Sequence, residues 1–171
     1  MDALVNFCRS CLFLTFAGFA LSKVIGFKAF RSHVQKTVST VPGSSTLIAG
    51  AVVVAEALAC ACLLWNSTAP AGFAALGALL AVFTAYLCKL LARGRGESCG
   101  CAGQSDSPVT VWHVARNVML FCLSAGGLLA ASSHSAVFDV QDWLRVPAAF
   151  LLAGPAYFLD DLIDFFGRKL T

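Results

Sequence analysis

The chain has 171 residues, of which 58% are hydrophobic and only 12% charged, with a mean hydropathy of +0.80. Soluble domains average about 45–50% apolar and about 25% charged residues, so this composition cannot coat a water-soluble globule and marks an integral membrane protein. A formal charge of +3, from 12 basic and 9 acidic residues, is too small for a nucleic-acid-binding surface; the scattered 14 Gly and 5 Pro exclude collagen-like and low-complexity classes.

A helix needs about 20 mostly apolar residues to cross a hydrocarbon core of about 30 Å. Four stretches meet this, at about 7–26, 45–65, 70–91 and 112–131, and a fifth, about 143–166, comes close. The expected fold is an all-α membrane bundle of four transmembrane helices plus a fifth C-terminal helix, in a single membrane domain over 1–171. The first segment lacks a basic leader and a small-residue cleavage site, so it reads as a retained helix. The second and third are joined by Asn66-Ser67-Thr68-Ala69 and then Pro70, a favoured early helix residue, which makes them an antiparallel hairpin. Asn66-Ser67-Thr68 also fits a glycosylation sequon, but a tight turn beside the bilayer makes the match incidental. The fifth carries Asp160, Asp161 and Asp164 in its last turns, so its alternative is a helix lying in the interface. The longer links, 27–44, 92–111 and 132–142, leave no room for a soluble domain.

Basic residues near helix ends orient such a bundle. Lys23, Lys28, Arg31 and Lys36 flank the first link, Lys89, Arg93, Arg95 and Arg116 the third, and Arg168 and Lys169 follow the fifth helix. Five spans with the N-terminus outside and the C-terminus inside a plasma membrane place all three clusters in the cytoplasm. Only Arg9 dissents.

The eight cysteines sort by depth. Cys8 and Cys11 open the first helix, Cys60 and Cys62 close the second, and in this topology both pairs lie at the outer face. Residues three apart share a helix face, so Cys8 and Cys11 can be neighbours; Cys60 and Cys62 diverge by about 200°. Cys88 and Cys122 read as small buried hydrophobes. Cys99-Gly100-Cys101 lies instead in a polar, glycine-rich loop. Gly100 allows a turn tight enough to bring the two sulfurs together. A disulfide in so small a ring is strained and easily reduced, which suits exchange rather than stapling. Arg93, Arg95 and Arg116 nearby would favour the nucleophilic thiolate. His113, Arg116 and Asn117 follow on one face of the next helix, although an Arg there could equally snorkel to headgroups. Glu56 sits midway along the second helix, where an ionisable group is costly and functional by default. Lys23 is placed to reach part of the way toward it, so the competing structural reading is an interhelical ion pair or a neutral Glu hydrogen-bonded to a neighbour.

In order and spacing, Arg9, Lys23, Glu56, the Cys99-Gly100-Cys101-Ala102-Gly103 loop and Arg116-Asn117 resemble the methylamine utilisation protein MauE family. This belongs to the wider DoxX-like group of small helical membrane proteins. The likeness runs from about Arg9 to Leu129, and Ala102 stands where the family loop usually has Phe. The resemblance implies a redox-associated role in disulfide formation or maturation of an exported partner, as for methylamine dehydrogenase, typically alongside a thioredoxin-like protein.

Three hypotheses follow. In the favoured one, Cys99 and Cys101 exchange electrons with a soluble partner as a thiol–disulfide oxidoreductase would, tuned by Arg116 and His113 with Asn117 beside them. Cys8, Cys11, Cys60 and Cys62 then form a second relay station. Oxidising a disulfide-containing exported client would need an electron sink such as a quinone, for which the sequence carries no signature; no resident metal is expected. The second is transport of a soft metal ion, Cu(I), Zn(II) or a toxic ion, between thiolates at the two faces. The third is an assembly scaffold with inert thiols, in which Ala71, Ala75, Gly126 and Ala130 mediate helix packing.

Overall fold

The computed structural model describes residues 2–37, 44–93 and 110–133, together with 151 and 154. Within these the chain forms five helices: α1 (Asp2–Ile25), α2 (Phe27–Thr37), α3 (Ser44–Leu64), α4 (Ala69–Arg93) and α5 (Val111–Ser133). Four contain segments long and apolar enough to cross a membrane: Ala3–Ile25, Ser44–Leu64, Ala69–Ala92 and Val111–Ala131. At 1.5 Å per residue each covers about 30 Å or more. The chain is a multi-pass, all-α membrane protein in contact with the lipid bilayer. Leu21, Leu47, Leu58, Val82 and Leu129 are all more than half exposed, as expected of side chains that face lipid tails.

α1 packs against α3 and α5, and α4 packs against the same two, so the spans form a ring with α1 diagonal to α4. The shared core runs from Val5, Cys8, Leu12, Phe16 and Phe19 of α1, through Cys60 and Leu63 of α3 and Phe73, Leu76 and Leu80 of α4, to Leu120 of α5. The α3–α4 turn is the expected hairpin. Ala69 N–H donates to the Trp65 carbonyl at 2.9 Å. The Thr68 hydroxyl donates to the Cys62 carbonyl at 2.7 Å, answering one of the carbonyls that a helix end leaves open.

The link read at 27–44 contains a helix. Phe27, Phe30 and Val34 form an apolar stripe at helical spacing, with Phe30 and Val34 buried against Ala49, while Lys28, Arg31, Ser32, Gln35 and Lys36 are exposed. An average of hydropathy hides such a segment because half of it is charged; its periodicity gives it away. The hydrogen-bond ladder continues across the break, with Gly26 N–H donating to Ser22 O at 2.9 Å and Phe30 N–H to Gly26 O at 3.0 Å. α2 is therefore a bent continuation of α1. At 11 residues it is about 16 Å long, too short to span. α1 also begins at Asp2, five residues before the expected start near 7.

Of the four small residues anticipated from sequence to mediate packing, only Ala130 is buried in the bundle. Ala71 and Ala75 are exposed, and a Cβ on Gly126 would meet nothing within 4 Å. Close approach occurs at Gly72, where a Cβ would lie 2.9 Å from Leu63 Cδ2, and at Gly127, where it would lie 2.4 Å from the Phe73 ring. Beside the latter, the Ser124 hydroxyl donates to the Phe73 carbonyl at 2.6 Å. Ala130 is buried, as expected. Spacing alone could not tell Gly126 from Gly127, which point about 100° apart on the helix. The expected helix at 143–166 lies outside the described residues except for 151 and 154, both helical.

Candidate functional site

Charged side chains are buried at two levels of the bundle, one near the α3–α4 hairpin and one near α2. At the hairpin level Arg9, 5% exposed, turns its guanidinium across to the end of α3. Nε donates to the Leu63 carbonyl and Nη1 to Asn66 Oδ1 at 2.6 Å. A cation at a helix C-terminus meets the open carbonyls and the negative end of the dipole. Arg9 thus has a structural reason to depart from the charge rule that orients the other basic residues.

Among the described residues none of the thiols around it is in a disulfide. Cys8 and Cys60, from α1 and α3, are both buried in the apolar core that the four spans share. Cys11, one turn along from Cys8, is also buried, and the Thr15 hydroxyl donates to its carbonyl at 2.9 Å. Cys62 is half-buried, so Cys60 and Cys62 diverge as their spacing requires. Cys88 and Cys122 are exposed on the bundle surface, not buried as expected; a thiol apolar enough for a core is equally at home against lipid.

At the α2 level Lys23 Nζ donates to Glu56 Oε1 at 2.5 Å, with the two side chains 2% and 0% exposed. The expected reach of Lys23 toward Glu56 is a full ion pair. Three rings surround the ammonium, with Phe19, Phe30 and Phe83 centroids 5.6, 5.7 and 5.6 Å from Nζ. These come from α1, α2 and α4, so four helices meet at this one charge. Aromatic faces attract a cation most strongly where water is excluded. Arg116 Cζ lies 5.2 Å from the Phe19 centroid, so Lys23 and Arg116 use the same ring.

His113, Arg116 and Asn117 are all buried, as their shared face implies. His113 has a local role that the sequence reading missed. Its Nδ1 accepts from Thr110 N–H at 3.1 Å and lies 2.9 Å from the Thr110 hydroxyl, while His113 N–H donates to Thr110 O at 3.1 Å. This is one half of a capping box, the N3 side chain reaching back to the N-cap N–H, with His in place of Glu or Gln. A backbone N–H can only donate, so Nδ1 is unprotonated and a neutral ring carries its proton on Nε2. The signal was Thr-x-x-His before an apolar run. The aromatic cage was also missed, because Phe30 lies in the segment read as a link and Phe83 in a run where every residue is apolar.

Cys99 and Cys101, with Arg95, lie outside the described residues, and so does the expected shared site between that loop and Arg116. Among the described residues no three His, Cys, Asp or Glu side chains converge as a metal site.

No curated protein and no solved structure shows significant similarity to the chain. Its residues 1–130, however, match the family model of methylamine utilisation protein MauE. That stretch takes in all five described helices nearly to the end of α5, with both buried polar levels. The chain belongs to the MauE family, a membrane protein family linked to methylamine utilisation.

Proposed function

We propose that this chain is a membrane thiol–disulfide exchange protein supporting disulfide formation or maturation of an exported partner. Cys99 and Cys101 are the pair that meets a thioredoxin-like protein or the disulfide-containing client. Cys8, Cys11, Cys60 and Cys62 are a second station. The observation that carries this reading is the burial of Cys8 and Cys60, from two helices, in the same apolar core, with Cys11 one turn from Cys8. Family membership and the Cys-Gly-Cys sequence add to it.

The chemistry is thiolate attack on a disulfide sulfur through a mixed disulfide. One new S–S bond forms as the old one breaks, and the leaving sulfur takes a proton. A second attack, by the neighbouring thiolate, completes transfer of two electrons. Arg116 favours thiolate over thiol electrostatically. His113 accepts from the Thr110 N–H at Nδ1, which leaves Nε2 as the ring's second hydrogen-bonding atom.

Mass-shift alkylation of the purified protein, with and without reductant, tests this. The expected result is a reducible bond that protects Cys99 and Cys101 together, lost in either single serine variant. All eight thiols labelling fully after mild oxidant treatment would contradict it. Under soft-metal transport the same variants would instead lose bound Cu(I) or Zn(II).

A further inference from the structure

We infer that the α2 end of the bundle carries a binding site for the phosphate of an anionic phospholipid, built from Lys28, Arg31 and Lys36 of α2 and Lys89 of α4. This goes beyond the proposed exchange chemistry and does not depend on it.

α2 joins two spans, α1 ending at Ile25 and α3 starting at Ser44, so its place in the chain puts it at the bilayer surface. Its apolar stripe is already used, packed on Ala49, Ile48, Val52 and Val53 of α3. The opposite stripe, residues 28, 31, 32, 35 and 36, is exposed throughout and holds three cations and no acid. A basic helix whose apolar stripe is packed on its own bundle offers the membrane chiefly charge, and anionic headgroups are the opposite charge at that depth.

α4 extends this face. His33 Nε2 lies 3.4 Å from the Tyr86 hydroxyl, which fastens α2 to α4. Lys36 is one turn beyond His33 and Lys89 one turn beyond Tyr86, and both lysines are exposed. The only acids among the described residues are Asp2, at the far end of α1, and Glu56, buried and committed to Lys23. None of the four exposed cations has an ion-pair partner among the described residues. Two ammonium groups flanking a His–Tyr contact supply the donors that a phosphodiester needs.

The test uses the full chain in nanodiscs of mixed phosphatidylglycerol and phosphatidylcholine, then counts lipid retained on release by native mass spectrometry. The native chain is expected to retain phosphatidylglycerol over phosphatidylcholine, with the preference falling about fivefold per cation removed in K36Q and K89Q. K36R/K89R should keep it. Raising salt from about 0.05 to about 0.5 M should weaken the preference on the native chain itself, because exposed charges are screened. Equal retention of the two lipids by the native chain, or an undiminished preference in the folded K28Q/R31Q/K36Q/K89Q chain, overturns the inference. So does complete displacement by millimolar inorganic phosphate, which would make the ligand a free phosphate rather than a lipid.

Discussion

Lys23 and Glu56 face each other inside a bilayer-spanning bundle with almost no exposure. Removing one partner of such a pair strands the other charge, at a cost of about 3–5 kcal/mol, whereas replacing both with apolar groups of similar volume costs far less. Lys23→Met should therefore lower the thermal midpoint in detergent sharply, and Lys23→Met/Glu56→Leu should recover most of the loss. Equal destabilisation by the single and double variants would mean the pair is not what holds α1 to α3. His113 makes a smaller, local contribution. His113→Ala should cost about 1 kcal/mol by opening the α5 cap, and His113→Gln, which can accept from Thr110 N–H, should restore part of it; denaturant melts of the three chains decide this. Glu56, Lys23 and Arg116 were legible in the sequence because an ionisable group among apolar neighbours is conspicuous. Phe19, Phe30 and Phe83 were not. In a chain this rich in Phe, nothing short of the tertiary fold says which rings meet a cation.

Helix by helix, the four spans could be read from hydropathy and the α3–α4 hairpin from Asn66-Ser67-Thr68-Ala69-Pro70. α2 escaped because its signal is periodic rather than cumulative. The α4–α5 contact gives the sharpest test at this scale. Gly126 and Gly127 are neighbours, yet only Gly127 lies against Phe73. Gly126→Ala should stabilise α5 by up to about 1 kcal/mol through reduced chain entropy, while Gly127→Ala should destabilise by about 1–3 kcal/mol through overpacking. Melting curves that shift in the same direction for both would contradict this packing of α5 on α4.

Among the described residues the buried charged groups occupy two levels with an apolar core between them: Arg9 toward the hairpin, beside the level of Cys8, Cys11, Cys60 and Cys62, and Lys23, Glu56 and Arg116, with His113, toward α2. The basic residues at the α2 end support an orientation with that end in the cytoplasm and Cys62 toward the outer face. In intact cells, a membrane-impermeant maleimide added outside should label half-buried Cys62 in a chain with its other cysteines replaced by serine, and should spare a single cysteine placed at Gln35. The reverse pattern would invert the bundle.

The claim on which the functional account rests is that Cys99 and Cys101 trade a disulfide with another protein. Cys101→Ser, expressed in the native host and quenched in acid before alkylation, should accumulate a reductant-sensitive adduct between Cys99 and a thioredoxin-like protein or an exported client. Cys99→Ser/Cys101→Ser should form none and leave the client without its disulfides. Full client maturation in the double-serine strain, with no adduct in the single variant, would contradict the account.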